Sequence, residues 1–299
     1  MIDGDAPSGP RSAEPRKVTV PDLRARKGGV PLVMLTAYDA PSARAADEAG
    51  VDIILVGDSL GMVVLGQENT LAVTLDDMVR ASAAVSRARP RALVVADMPY
   101  LSYHTGPRDA VLAAGQLVRD GGAEAVKLEG GRKRLEVIRA LLDAEIPVMG
   151  HVGLTPQSLH AMGGFRVQGR ELAGIEDLLD DARALVDAGV FSLVLEGIPA
   201  DVAAMITAAV PAPTIGIGAG VGCDGQVLVY HDLLGLHAGP APRFVRRYAD
   251  LHGAAVSAIR AFAADVRTGA FPSPAESYRL PRDVGEALAA RLRRQAGQG

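Results

Sequence analysis

Short apolar runs that close on a carboxylate recur along this chain: Val56-Gly57-Asp58-Ser59, Val95-Ala96-Asp97, Lys127-Leu128-Glu129 and Val194-Leu195-Glu196. A strand that reads as one continuous apolar stretch is buried on both faces, the condition of a parallel sheet wrapped by helices. In a closed parallel barrel the strand ends on one rim build the active site. The pattern therefore points to an α/β fold and marks these acids as the first candidates for chemistry.

Eight candidate strands follow from the apolar runs: Pro31–Ala37, Ile53–Asp58, Leu93–Met98, Ala125–Glu129, Pro147–His151, Ser192–Glu196, Thr214–Ile217 and Val227–His231. Between them, Ser42–Ala49, Leu75–Ala88, Arg108–Arg119, Arg134–Ala144, Ile175–Ala188 and Ala200–Ala209 carry apolar residues at three- and four-residue spacing, as helices packed on strands do. Eight βα units are the number that closes a barrel. The expected organisation is a disordered arm over residues 1–16, rich in Pro, Gly and Ser, a barrel over 17–275 and a C-terminal tail over 276–299. Tyr248–Arg267 reads as a closing helix, and Phe271-Pro272-Ser273-Pro274 breaks the pattern before the tail, which is expected outside the barrel or toward a neighbouring subunit. The segment Gly153–Gly174 is longer than most βα connections and reads either as a substrate lid or as a surface excursion.

Composition excludes several classes of partner. A net charge of -4 gives no broad basic field for nucleic acid, and Arg291-Leu292-Arg293-Arg294 is short enough to be a solvated helix face. No apolar run approaches the ~20 residues that span a bilayer, and the first residues lack the basic start and apolar stretch of a secretory signal. The single Cys223 has neither a disulfide partner nor zinc-site spacing. A cytoplasmic location is the expectation, with no nucleic-acid or membrane partner.

Asp58, Asp97 and Glu129 end successive strands without being neighbours in sequence, so only a barrel would bring them together. Three converging carboxylates repel unless protons or a cation compensate. With hard oxygen donors and no thiolate or His cluster, Mg²⁺ is the preferred ion. A lone strand-end acid serves equally well to cap the next helix, but recurrence favours the shared site. Lys127 stands two residues before Glu129, on the same strand face. It could neutralise an oxoacid, form a Schiff base, or only offset Glu129. Glu196, apart from the metal group, suits proton transfer or a helix cap. His151 is read as a substrate contact, an alternative base or a satisfied core residue. Gly216-Ile217-Gly218-Ala219-Gly220 lacks a following helix and reads as a tight turn near a ligand, not a dinucleotide loop.

Several longer stretches together carry a specific likeness: Leu35-Thr36-Ala37-Tyr38-Asp39, Val56-Gly57-Asp58-Ser59-Leu60-Gly61, Val126-Lys127-Leu128-Glu129-Gly130-Gly131, Gly150-His151-Val152-Gly153-Leu154-Thr155-Pro156-Gln157-Ser158 and Gly163-Gly164-Phe165-Arg166-Val167-Gln168-Gly169-Arg170. In collinear order from about Val18 to Pro274, with Gly216–Gly220 and Asp224-Gly225-Gln226, the chain resembles the ketopantoate hydroxymethyltransferase family. The resemblance implies a (β/α)8 TIM-type barrel of the phosphoenolpyruvate/isocitrate lyase-like superfamily. It further implies transfer of a hydroxymethyl group from 5,10-methylenetetrahydrofolate to 3-methyl-2-oxobutanoate through a metal-stabilised enolate, giving 2-dehydropantoate for pantothenate and coenzyme A synthesis.

By the same resemblance, one Mg²⁺ per subunit would be bound through Asp58, Asp97 and Glu129. Asp58, Ser59, Asp97 and Lys127 would contact the oxoacid, with His151 as a further contact from its strand-end position, and Glu196 would accept the proton. A homo-oligomer, often a decamer, is implied. The readings weighed against this are a metal-dependent lyase or mutase acting on a related 2-oxoacid and a non-catalytic metabolite-binding barrel. Gln67-Glu68-Asn69-Thr70, Glu171 and Gly197 depart from the family's usual residues and bear on substrate preference.

Overall fold

The computed structural model describes residues 16–296 apart from 238 and 240, so the arm expected over residues 1–16 lies, except for Arg16, outside the described residues. Eight parallel strands close on themselves in chain order. They are β1 (Leu32–Thr36), β2 (Ile53–Val56), β3 (Leu93–Asp97), β4 (Ala125–Glu129), β5 (Val148–Gly153), β6 (Ser192–Glu196), β7 (Thr214–Ile217) and β8 (Gly225–Leu228). The helices are α1 (Val20–Arg24), α2 (Ala40–Glu48), α3 (Leu60–Val63), α4 (Leu75–Ser86), α5 (Pro107–Arg119), α6 (Leu135–Asp143), α7 (Leu159–Met162), α8 (Leu172–Ala188), α9 (Ala200–Ala209), α10 (Tyr230–Leu234), α11 (Leu251–Thr268) and α12 (Arg282–Ala296). The expected TIM-type barrel is therefore the fold.

Each strand divides its side chains between two cores, because successive residues point to opposite faces. Val94, Val126, Leu128 and Leu193 face outward and pack beneath the helices with Met78, Leu117, Ile138 and Leu185. Leu32, Met34, Ile53, Leu55, Leu93, Val95, Met149 and Val194 fill the barrel interior, where Leu23 of α1 joins them. The inward column that begins with Leu93 and Val95 ends at Asp97, and the one that begins with Ala125 ends at Lys127 and Glu129. In the same way β5 runs from Met149 to His151 and β6 from Val194 to Glu196. An apolar plug thus gives way, at the carboxyl ends of the strands, to a ring of ionisable groups.

Local signals set where the first helices begin. Thr19, Asp39 and Thr74 each accept the N–H three residues on, in reciprocal capping boxes, at the starts of α1, α2 and α4. The long connection after β5 holds a 3₁₀ turn (Pro156–Ser158) and α7 before α8 begins. Phe165 and Val167 in it are half-exposed, and the Gln168 N–H donates to the Gly197 carbonyl at 2.9 Å.

The eighth strand differs from its expected place. Val227–His231 was the apolar run, but the ladder takes Gly225–Leu228, and Tyr230 opens α10. Gly225 pairs with both Leu32 and Ile215, and a Cβ there would come within 2.5 Å of the Leu32 carbonyl oxygen and 2.8 Å of Ile215. The closing strand must pass so near its neighbours that its first residue has no side chain, which removes it from any apolar pattern.

The described residues fall into two compact units, one ending at Ala249 and the other beginning at Asp250. The closing helix begins at Leu251, three residues later than its apolar pattern suggests, where Asp250 caps it by accepting from the Gly253 N–H. The boundary expected at residue 275 lies inside the second unit, between α11 and α12. Within that unit Ile259, Phe262, Val266, Leu288 and Leu292 are substantially exposed.

Candidate active site

The sheet register assembles the ring. Asp97 is paired with Lys127, Glu129 with His151 and Gly153 with Glu196, so three neighbouring strand pairs deliver five candidate side chains side by side. Asp58 follows β2, where its N–H donates to Asp97 Oδ2 at 3.0 Å. This approach needs a small residue at position 57, since a Cβ on Gly57 would come 2.8 Å from Ser59 Oγ and 3.5 Å from Asp97 Oδ2. Ser59 Oγ lies 2.8 Å from the Tyr38 hydroxyl.

Asp58, Asp97, Lys127, Glu129 and His151 are all buried, and Glu196 is the most open member of the group. Lys127 Nζ stands 2.9 Å from Asp97 Oδ1. The approach is too oblique for a hydrogen bond, so this buried carboxylate oxygen has a charge partner but no donor in line. Burial alone would depress the Lys127 ammonium, but Asp97, Glu129 and Asp58 together hold it well above the usual lysine range. It is therefore a permanent cation at neutral pH. Burial and then the Asp97 charge push Asp58 up to about 7, against the pull of Lys127 and of the Gln157 amide. Burial and the Asp58 charge likewise raise Glu129 well above the carboxylate range.

His151 joins the two ends of the site. Its Nδ1 is 3.3 Å from Lys127 Nζ and its Nε2 is 3.3 Å from Glu196 Oε2. Burial, followed by the Lys127 charge, lowers its pKa, so the ring is neutral. An ammonium can only donate, so Nδ1 is the acceptor and the ring proton sits on Nε2, facing Glu196. The Nε2–Glu196 contact is off the hydrogen-bond line in this state, leaving the carboxylate free to turn toward a ligand.

Gln157 is the central residue that reading the sequence for ionisable groups passed over. Its side-chain Nε2 donates to Asp58 Oδ2 at 2.8 Å and to the Met98 carbonyl at 3.0 Å, and its Oε1 accepts from the Tyr103 hydroxyl at 2.6 Å. Its backbone N–H donates to Glu129 Oε2 at 3.0 Å. Four bonds from one residue fix two of the carboxylates. The signal available in the sequence was its place directly after Thr155-Pro156, a loop start on the same rim as His151.

The donor set fits a hard divalent cation. Three buried carboxylates and nearby Glu196 face a single ammonium, Asp97 Oδ1 lacks a donor, and the surplus of negative charge adds to burial in raising Asp58 and Glu129. Among the described residues no three His, Cys, Asp or Glu groups already stand in a closed metal-holding cluster. Mg²⁺ suits such an open site, because it keeps water and substrate oxygens among its ligands and takes few carboxylates.

A family model described as ketopantoate hydroxymethyltransferase matches residues 17–274. The chain belongs to the ketopantoate hydroxymethyltransferase family. Membership makes it an enzyme that transfers a one-carbon group, with a place in pantothenate biosynthesis. Among its relatives, the 3-methyl-2-oxobutanoate hydroxymethyltransferase of Moorella thermoacetica is 58% identical over 89% of this chain and 100% of its own length. That of Koribacter versatilis is 57% identical over 86% and 88%. The barrel is also similar to solved structures at low identity: 2,3-dimethylmalate lyase, a PEP mutase/isocitrate lyase superfamily member, with a TM-score of 0.55 at 20% identity, covering 93% of this chain and 95% of that one. Oxaloacetate acetylhydrolase gives 0.57 at 19%, covering 93% and 97%. At this identity the likenesses show a shared barrel fold.

The remaining glycine-rich stretch and the cysteine have structural places. Gly216 and Ile217 end β7, and the rest turns toward β8. A Cβ on Gly216 would come 2.9 Å from Cys223 Sγ, so the thiol packs against the strand. Burial pushes the Cys223 thiol up, away from the reactive thiolate.

Proposed function

We propose that the enzyme transfers a hydroxymethyl group from 5,10-methylenetetrahydrofolate to 3-methyl-2-oxobutanoate, giving 2-dehydropantoate. The observation that carries this reading is the row Asp97–Lys127–His151–Glu196: a permanent cation at one end, a carboxylate within reach of the ligand space at the other, and a neutral imidazole between. The names and high identity of the full-length relatives support the same substrate.

The oxoacid's carboxylate and keto oxygen lie at the Asp58–Ser59–Asp97 end, where Lys127 balances their negative charge. Asp58, Asp97 and Glu129 would hold Mg²⁺, which when bound acts as a Lewis acid toward those oxygens and acidifies the adjacent C–H. Glu196 takes the proton from C3, directly or through a water. The carbon freed by that step attacks the methylene carbon of the folate, forming the new C–C bond as one C–N bond breaks and its electrons return to nitrogen, which takes up the proton held by Glu196. A water then displaces the second folate nitrogen, supplying the hydroxyl of the product and releasing tetrahydrofolate. His151, neutral and with its Nε2–H facing Glu196 at 3.3 Å, donates to the carboxylate once it turns to the ligand and so orients it over C3.

Proton NMR of 3-methyl-2-oxobutanoate in D₂O with protein and Mg²⁺ tests both halves. Deuterium exchange at C3 without folate, then 2-dehydropantoate once tetrahydrofolate and formaldehyde are added, is the expected result. Exchange with no product would assign a different electrophile, and absence of both would overturn the oxoacid assignment.

A further inference from the structure

Beside the carboxylate group, the loops after β3 and β4 bring a second set of side chains to the rim, and Tyr103 joins the two. Its hydroxyl accepts from the Glu129 N–H at 3.3 Å and donates to Gln157, so one end of the ring belongs to the site above. Over the ring, 5.1 Å from its centre, stands the Arg134 guanidinium. The His104 ring lies 4.2 Å from that of Tyr103, and Tyr100 packs edge-on against His104 at 5.1 Å.

This set is incomplete in polar terms. Arg134 Nε and His104 Nδ1 are both buried without a hydrogen-bond partner. Buried polar atoms left so cost free energy until a ligand or water completes them. Of the three consecutive bases after Gly131, Arg132 is consumed by Asp177, Asp180 and Asp181 at 2.7, 3.3 and 2.9 Å. Lys133 and Arg134 have no ion-pair partner among the described residues. Burial and these two cations lower His104 to about 4, so it is neutral and adds a face, not a charge.

The cations are placed over the rim by the residue that follows Glu129. Gly130 has φ +116, and a Cβ there would come 3.0 Å from Lys133 Cε and 3.1 Å from Arg134 Cγ. Lys133 also stands in the wall of a cavity of about 480 Å³ shared with Gly130, Thr155 and Gln168. On the other loop, exposed Leu101 is held at φ +69, a backbone state rare for a residue with a branched side chain and concentrated at ligand sites.

We propose that this rim binds the benzoyl-glutamate tail of the folate, its ring against Tyr100 and His104 and its glutamate carboxylates on Arg134 and Lys133. The assignment rests on the folate donor of the proposed function. A one-carbon carrier that presents its reactive end beside Asp97 and Lys127 must lead its tail out of the barrel mouth. One tyrosine ring separates Glu129 from the free cations, and aromatic and guanidinium faces suit a flat ring that ends in two anions.

Steady-state kinetics with mono- and triglutamylated methylenetetrahydrofolate test the site in the unaltered enzyme, in Arg134→Gln and in Lys133→Glu. The second change is at an exposed position and leaves the Tyr103 packing intact. The expected result is a folate KM raised about tenfold or more in each variant, ~1.4 kcal/mol, with a larger loss for the triglutamate and an oxoacid KM within about twofold of the unaltered enzyme. An unchanged folate KM in both variants, or equal rises in both KM values, would overturn the site. If the unaltered enzyme exchanges C3 deuterium but makes no product from either folate, the failure is that of the donor assignment and not of the rim.

Discussion

The side-chain amide of Gln157 donates to Asp58 Oδ2 at 2.8 Å across 99 positions of sequence, and so ties the loop after β5 to the end of β2. The barrel interior lies between them, and no backbone ladder joins these strands. The carboxylate geometry is thus braced from across the barrel mouth as well as from its own strand.

Replacing Gln157 by Ala strands several groups at once: Asp58 Oδ2, the Met98 carbonyl and the Tyr103 hydroxyl each lose a partner. Each buried group left unmade costs about 1–3 kcal/mol. The variant should lose stability in urea titrations and show a fall in kcat, with Gln157→Glu unable to restore it, since a carboxylate would face Asp58. Activity unchanged in a folded Gln157→Ala would remove the bracing role.

Glu196→Gln keeps the size of the side chain and removes the proposed base. Oxoacid and Mg²⁺ binding, measured by calorimetry, should persist while C3 deuterium exchange falls by roughly 10²–10⁴-fold, the range general-base groups contribute. Equal loss of binding and exchange would make Glu196 a ligand contact.

Asp97→Ala should weaken Mg²⁺-dependent oxoacid binding and also leave the Lys127 ammonium without its nearest counter-charge. A metal titration with and without oxoacid reads this directly. Unchanged metal affinity would exclude Asp97 from the ligand set.

Without metal, stability should fall as pH rises toward 7. Asp58 has a folded value near 7 against 3.8 in the open chain. Between those values the unfolded state has shed a proton that the folded state still holds, so each step up in pH favours unfolding, and the penalty levels off above about 7. Glu129, also raised, adds to it in the same direction. Urea melts of the metal-free protein at pH 5 and pH 8 should show the lower midpoint at pH 8, with added Mg²⁺ narrowing the gap.

Gly153→Ala should be severely destabilising. The residue has φ +101, and a Cβ would run into the Glu196 carbonyl oxygen. Backbone strain and a main-chain clash act together there. A thermal melt indistinguishable from the unaltered protein would contradict this.

Much of this fold was legible because a strand buried on both faces leaves an unbroken apolar run, as Leu93–Asp97 and Ser192–Glu196 do. β8 was misplaced by two residues for the opposite reason, since the crowding that closes the barrel demands glycine where the pattern expects a side chain. Asp58, Asp97, Glu129, His151 and Glu196 were marked by ending strands and Lys127 by its place two residues before Glu129, and the structure brings them to one rim. Gln157, Tyr103 and the pair His104 and Arg134 were not marked. They lie on loops, where no periodicity sets direction, and their importance comes from contacts between segments distant in sequence.

The pairing of Asp97 with Lys127 and of Glu129 with His151 is sheet register, so the candidate row is written into the same hydrogen bonds that close the barrel. A slip of one position would turn every one of these side chains into the helical layer. This candidate row therefore has no melting point of its own: it cannot loosen as a loop does, and activity should vanish only where the cylinder itself opens.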